Sequence, residues 1–264
     1  MFAYAIHALC GAQDQGNRHF ASGNYAKALE LFTLGIDTIT LMDPPYPPSI
    51  DPTHLHLYYS NRSATQSVLR NYQLALEDAE SCIRIKPEWA KGYYRKGVAL
   101  EGLVQFHEAL EAYEKGLTMD SEDSTLKKAT SDLKTLLSEL KSTATKLDQS
   151  SGHNPESDRF ETMVQWLKDG GARFPRLYLQ YYSQDSRGVH CLSDIPSDEI
   201  VLYVPHHMIM TSQVAMESPI GKKIVEAQIE LRSKHSYLAS YLLQEKKKGS
   251  ESYWAPYINA LPQC

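Results

Sequence analysis

Along the first half of the chain, small and aromatic residues recur at fixed offsets. Tyr25, Tyr72 and Phe106 each follow a short turn, Gly23-Asn24, Arg70-Asn71 and Val104-Gln105 respectively. Three residues after each aromatic stands an alanine (Ala28, Ala75, Ala109), and seven beyond that another small residue (Gly35, Cys82, Gly116). Nine residues before the aromatics stand Gly16, Ser63 and Gly97. Phe106 lies 34 residues after Tyr72, and Tyr72 lies 47 after Tyr25, which is one 34-residue period plus a 13-residue insertion. Such a period predicts helical hairpins whose small positions mark close crossings, and hairpins of this size bury their apolar faces only by stacking. Pro44, Pro45, Pro47, Pro48 and Pro52 account for the insertion, since no helix continues through them. One helix is therefore expected to end near Met42 and the next to begin near Thr53. After the third hairpin, Leu126, Ala129, Leu133, Leu136, Leu137 and Leu140 recur at helical spacing, which predicts an amphipathic helix closing the open end of the array.

The pattern then changes. Residues 141–158 are polar with Gly and Pro and read as a linker, with the division set at 147–158. Asp158 and Glu161 suggest a capping box for a helix through Met163, Trp166 and Leu167, stopped by Gly170-Gly171. Gly188-Val189-His190-Cys191-Leu192 and Ile200-Val201-Leu202-Tyr203-Val204 read as strands, the second ended by Pro205. A long helix is expected from about Lys222 to Lys247, with Leu238, Tyr241 and Leu242 on its buried side. The fold class expected is an α-solenoid at 9–146 followed by an α+β domain at 159–264.

Composition narrows the functions open to such a chain. Its 264 residues suffice for about two domains. A net charge of −5 gives no electrostatic footprint for nucleic acid. The apolar start, Met1 to Cys10, is far shorter than a membrane span and lacks the basic flank of a secretory signal. Cys10, Cys82, Cys191 and Cys264 form no CxxC pair, so neither a zinc cluster nor a disulfide framework is expected. Neither His206-His207 nor the other histidines show metal-ligand spacing, and no phosphate-binding glycine loop occurs. A reducing cytoplasmic or nuclear setting follows, in which the sequon Asn61-Arg62-Ser63 carries no sugar.

The repeating offsets resemble the tetratricopeptide repeat (TPR), over about residues 9–120. Within them, Tyr59-Ser60-Asn61-Arg62-Ser63 and Trp89-Ala90-Lys91-Gly92-Tyr93-Tyr94-Arg95-Lys96 resemble co-chaperone TPRs. Those grip the C-terminal Glu-Glu-Val-Asp tail of cytosolic heat-shock chaperones in a five-residue carboxylate clamp. The resemblance implies clamp roles for Asn17, Asn61, Lys91 and Arg95. The fifth position, four before Asn17, is lysine in that family and Gln13 here. Lys91 and Arg95 are neighbours on one helical face, and a desolvated charge-assisted hydrogen bond is worth about 1.5–3 kcal/mol. The bland alternative is that they are two solvated surface cations.

In the second half, Asp185-Ser186-Arg187-Gly188-Val189, Ile200-Val201-Leu202-Tyr203-Val204-Pro205, Met210-Thr211 and Ser252-Tyr253-Trp254-Ala255-Pro256-Tyr257-Ile258-Asn259-Ala260-Leu261-Pro262 stand in an order resembling SET-domain protein methyltransferases of the Rubisco-lysine and actin-histidine type. That resemblance implies S-adenosylmethionine approaching the turn Asp185, Ser186, Arg187 and Gly188, with Ser186 standing where the family often has glycine. It also implies that the family's catalytic segment would come after Cys264. The expectation is then the N-terminal part of a SET domain with no catalytic residue, using the cofactor only when completed, and exposing apolar surface and strand edges. Two functions stay open: an adaptor that captures acidic C-terminal peptides of heat-shock chaperones, or a piece of a lysine or histidine methyltransferase.

Overall fold

The computed structural model describes residues 11–42, 54–150, 155–181, 187–231 and 233–261. The proline-rich insertion, Leu9 and Cys10 at the expected start of the array, and Asp185 and Ser186 lie outside them. The chain divides into two compact units, residues 1–141 with 196–200, and residues 142–195 with 201–264.

In the first unit, helices α1 (Ala12–Ala21), α2 (Tyr25–Thr40), α3 (Leu55–Val68), α4 (Tyr72–Ile85), α5 (Ala90–Gly102) and α6 (Phe106–Met119) pack as three successive hairpins. Each hairpin also packs on the next, α2 against α3 and α4 against α5. The turn before each second helix needs one residue in the left-handed region: Gly23 (φ 78°), Arg70 (φ 63°) and Val104 (φ 60°). Glycine meets that demand without strain, whereas a β-branched valine does not. Asn24 caps α2 by accepting from the Lys27 amide at 3.3 Å.

The small residues sit where the offsets place them, and each faces a counterpart of complementary size. A Cβ at Gly16 would lie 2.5 Å from Phe32 Cε1, and one at Gly97 would lie 2.1 Å from Tyr113 Cε1. The second hairpin has the exchange reversed. Ser63 replaces glycine, Ala79 stands at the ring's register, and the buried Ser63 hydroxyl donates to the Ala75 carbonyl at 2.7 Å. The same trade operates between hairpins. A Cβ at Gly35 would meet the Tyr58 ring at 2.2 Å, while across the next interface Gly92 faces Cys82, with its virtual Cβ 3.4 Å from Sγ. Close packing thus conserves the volume of each pair rather than each residue. Arg62 cross-links the stack, donating to both Asp78 carboxylate oxygens at 2.9 and 2.7 Å and to Thr33 Oγ1 at 3.3 Å.

The closing helix α7 (Ser124–Ser150) starts at Asp123, whose carboxylate accepts from the Thr125 and Leu126 amides at 2.8 and 3.0 Å. Leu126, Leu133 and Leu140, one every two turns, are its buried residues among the expected leucines. It runs further than the polar composition suggested. The stretch read as a linker is helical through Ser150 and again from Pro155, with 151–154 outside the described residues.

The second unit departs from expectation at three points. Helix α8 (Pro155–Asp169) begins at a proline, which suits a first helical position, so Asp158 and Glu161 lie inside it and do not form its capping box. The Gly170-Gly171 stop is as expected, with Gly171 at φ 91°. Strands β1 (Leu177–Tyr181) and β2 (Arg187–Cys191) form one antiparallel hairpin, in which Gly188 pairs with Gln180 and Arg187 with Tyr181. These are the two strands among the described residues.

The run Ile200–Val204 is no strand. It makes one antiparallel bridge, in which Arg173 and Tyr203 exchange amide hydrogen bonds at 2.8 and 2.9 Å. The next hydrogen-bonded pairs in that register would be Pro175 with Val201 and Gly171 with Pro205. Proline has no N–H to give, so the ladder is blocked on both sides. Val201, Leu202 and Tyr203 are left exposed, Leu202 to 53%.

The long helix expected at 222–247 is two, α10 (Pro219–Glu226) after α9 (Ser212–Glu217), and α11 (Lys234–Lys248). Ser218 caps α10 by accepting from the Gly221 amide at 3.1 Å, and Ser233 caps α11 by accepting from the His235 amide at 3.2 Å. Gln228 at φ 52° turns the chain between them. Leu238, Tyr241 and Leu242 are half-buried on α11, and α12 (Ala255–Ala260) follows. Trp166, Tyr253 and Trp254 form an aromatic cluster, with Trp254 Nε1 donating to Tyr241 Oη at 3.1 Å.

Candidate binding groove on the first helices

Helices α1, α3 and α5 are the first members of their hairpins. Contacts run from α1 to α3 and from α3 to α5, so their outward faces form one continuous surface. On α1 and α3 the amides of Asn17 and Asn61 meet across 44 residues of sequence, Asn61 Nδ2 donating to Asn17 Oδ1 at 2.9 Å. That bond uses one donor of Asn61 and one acceptor lone pair of Asn17, leaving N–H groups on both side chains to offer to an anion. Gln13 is half-buried one turn before Asn17 on α1.

Lys91 and Arg95 stand one turn apart on α5. Neither is in an ion pair among the described residues. Lys91 Nζ lies 5.8 Å from the centre of the Trp89 ring, which His56 of α3 meets edge-on at 4.7 Å. The Arg95 guanidinium carbon lies 5.6 Å from the centre of the Tyr94 ring. Arg95 Nε is buried with no hydrogen-bond partner. Burial pushes the Arg95 guanidinium below its ordinary value, and burial followed by the charge of Arg95 does the same to Lys91. Both shifts say that the charged form is disfavoured, chiefly by burial, with no carboxylate beside it to offset that cost.

Beneath the two cations lies Cys82 of α4. Burial pushes its thiol up to about 12, although Arg95 and Lys91 pull the other way. It is a packing residue rather than a nucleophile.

The structure therefore brings Asn17 and Asn61 together and places Lys91 and Arg95 on the neighbouring face. Of the turn residues assigned to a cofactor, Asp185 and Ser186 lie outside the described residues, and Arg187 and Gly188 open β2. Sequence reasoning missed the partner roles of Trp89, His56 and Tyr94. The aromatics were quoted for their resemblance, but their contact with the cations depends on how α3 meets α5. Among the described residues no cluster of His, Cys, Asp and Glu could hold a metal ion, and no helix is long and apolar enough to cross a membrane.

Comparison with known proteins bears on the first unit. Residues 90–123 match the family model of the tetratricopeptide repeat. The chain is 38% identical over 116 residues to heat shock protein STI1 of Saccharomyces cerevisiae, an overlap of 44% of this chain and 18% of that protein. It is 40% identical over 116 residues to the Hsp70-Hsp90 organizing protein of Triticum aestivum, with the same coverage of 44% and 18%. The chain thus spans about a fifth of the length of these relatives. Among solved structures, the TPR2B domain of yeast Sti1 in complex with pHsp70 is similar at a TM-score of 0.41 and 20% identity, covering 49% of this chain and 98% of that one. Residues 90–123 form a tetratricopeptide repeat, and the three helical hairpins of the first unit are similar in sequence to the repeats of these relatives.

Proposed function

We propose that the first unit is an adaptor that binds peptides ending in an acidic C-terminal sequence, of the Glu-Glu-Val-Asp kind found on Hsp70- and Hsp90-class chaperones. The observation that carries this reading is the unneutralised pair Lys91 and Arg95, with Arg95 Nε buried and unsatisfied. Lys91 is exposed and Arg95 half-buried, and an enclosed N–H such as Arg95 Nε left without an acceptor costs about 1–3 kcal/mol; a terminal carboxylate with its flanking acidic side chains brings the anion that both cations lack. The Asn17–Asn61 amide pair adds neutral donors for a second carboxylate oxygen. Gln13 contributes an amide where a clamp lysine would add a cation, so binding rests more heavily on α5. The names of the relatives agree with the reading: they are organising proteins of Hsp70 and Hsp90. On this reading the chain works in the cytosol beside its chaperones.

The test is titration of the full chain with a fluorescently labelled peptide ending in Glu-Glu-Val-Asp. Binding should weaken with salt, and Lys91→Ala and Arg95→Ala should each weaken it about tenfold or more, as expected for a lost hydrogen bond between charged groups. Binding indifferent to salt and to both substitutions would overturn the assignment.

A second reading concerns the other unit. We infer from the ordered phrases between Asp185 and Pro262 that it is related to the N-terminal part of SET protein methyltransferases, with S-adenosylmethionine as its cofactor. Its support is sequence resemblance and the hairpin of β1 and β2. The fit to the cofactor is poor, because Arg187 and Gly188 are engaged in the ladder with Tyr181 and Gln180. Calorimetric titration with S-adenosylmethionine decides it, and absence of binding removes the reading.

A further inference from the structure

Where α5, α6 and α7 meet, the first unit holds a half-enclosed groove of about 380 Å³. Val98, Leu133 and Leu136 form apolar walls, Tyr94 stands at the end nearest Arg95, and Glu101 and Asp132 supply carboxylates. Glu101 is partly buried, and its carboxylate accepts from Tyr113 Oη of α6. Asp132 is exposed at the rim. Lys91, Arg95, Val98 and Glu101 follow one another on the same face of α5 at spacings of four, three and three. The groove is therefore a continuation of the clamp surface in which the sign of the charge has changed.

We propose that this groove is a second subsite for the same peptide, and that it takes a lysine or arginine side chain lying about four or five residues before the terminal carboxylate held by Lys91 and Arg95, just ahead of the acidic tail. The proposal rests on the clamp reading above. An aliphatic stem fits the Val98, Leu133 and Leu136 walls, while the cationic head reaches Glu101 and Asp132. An apolar residue would fill the walls and leave the carboxylates unanswered, and an acidic one would be repelled. The spacing follows from helix geometry. Six residues of α5 separate Arg95 from Glu101 and ten separate Lys91 from it, about 9 and 15 Å along the axis. An extended peptide covers those spans in about three to five residues at 3.3–3.6 Å each. The two opposite charges together fix register: the acidic tail cannot slide into the groove, and the basic residue cannot occupy the clamp.

The experiment uses the full chain and labelled peptides ending in Glu-Glu-Val-Asp, with lysine, norleucine or glutamate at the first or second position before that tail. Fluorescence anisotropy should show the lysine peptide binding about three- to tenfold tighter than the norleucine peptide at one of these positions, and the glutamate peptide weakest. Asp132→Asn, an exposed change that leaves the packing intact, and Glu101→Gln, which keeps the acceptor for Tyr113, should each shrink that advantage without changing the norleucine affinity. Asp132→Lys should bring the glutamate peptide level with lysine or above it. Equal affinities for the three peptides in the unaltered chain, or a lysine advantage that survives all three substitutions, overturn the groove proposal and leave the clamp standing. Absence of binding by every peptide overturns the clamp reading, and this proposal with it.

Discussion

The size exchange within the hairpins predicts the outcome of a double-mutant cycle. Gly16→Ser alone places a Cβ 2.5 Å from Phe32 Cε1, about 1 Å inside the 3.5–4.0 Å at which carbon atoms rest. Overpacking of that degree costs about 1–3 kcal/mol, less about 0.5 kcal/mol regained because serine is the better helix former. Phe32→Ala alone removes a fully buried ring and should cost about 3–5 kcal/mol. Combined, the two recreate at α1–α2 what the chain already builds at α3–α4 with Ser63 and Ala79. The new hydroxyl sits opposite Ala28, the counterpart of the Ala75 carbonyl that Ser63 reaches at 2.7 Å. The double variant should therefore be more stable than the sum of its parts by about 1–3 kcal/mol. Urea unfolding followed by circular dichroism gives the three free energies, and amide hydrogen exchange confirms that the change is confined to α1 and α2. Strict additivity would refute the claim that each hairpin conserves the volume of a pair.

Two further outcomes follow from the turns and from Glu101. Gly23→Ala should lose about 1–2 kcal/mol purely through its backbone, because φ is 78° and a Cβ there meets nothing within 4 Å; Arg70→Gly, at φ 63°, should not lose stability, and an unfolding midpoint unchanged in Gly23→Ala would contradict the assigned turn. Burial, with the Asp132 and Glu199 charges adding to it, holds the Glu101 carboxyl above its ordinary value against the pull of the Tyr113 hydrogen bond. The folded chain thus keeps a proton that the unfolded chain has already lost, so this group's contribution falls as pH rises from the unfolded carboxyl value through the folded one. Glu101→Gln should flatten that part of the stability curve, and urea unfolding at a series of pH values would show parallel curves if the reasoning is wrong.

The repeats were legible because every offset in them is a contact. Tyr25, Tyr72 and Phe106 mark the turns, and Gly16, Gly35, Gly97 and Gly116 mark places where a ring or a leucine from the facing helix leaves no room for a Cβ. The amphipathic closing helix was equally plain from Leu126, Leu133 and Leu140. The second unit was less legible because its deciding interactions are not local. Ile200–Val204 has strand composition, but the segment it meets carries Pro175 in the register where an N–H is required, and Pro205 ends the other side. The break between α10 and α11 contains neither Gly nor Pro. It is set by the serine cap Ser233 and by Gln228 turning left-handed, neither of which outweighs helical periodicity when read along the chain. In the candidate site, the spacing of Lys91 and Arg95 announced a shared face. That Asn17 meets Asn61, and that Glu101 shares a groove with Asp132, depends on how separate hairpins cross.

The distribution of counter-charges separates the cations that are paired within the array from those the proposed clamp would use. One residue before the small position of the second and third crossings, Arg62 and Lys96 occupy equivalent places ahead of Ser63 and Gly97, where the first crossing has Gln15. Both are paired within the array, Arg62 with Asp78 at 2.7 Å and Lys96 with Glu80 at 2.8 Å. One residue earlier still, the equivalent places hold Asn61 and Arg95, and there no carboxylate is supplied among the described residues. Arg95 is as deeply placed as Arg62, so its burial costs no less, yet the chain leaves Nε unsatisfied where it gave Arg62 a bidentate partner. An enclosed N–H left unpaired raises the energy of the free protein, a cost that an arriving anion would relieve. On the clamp reading, the row of amide and guanidinium is the part of the surface whose electrostatics an anionic peptide would complete, beside a row whose charges are already paired within the array.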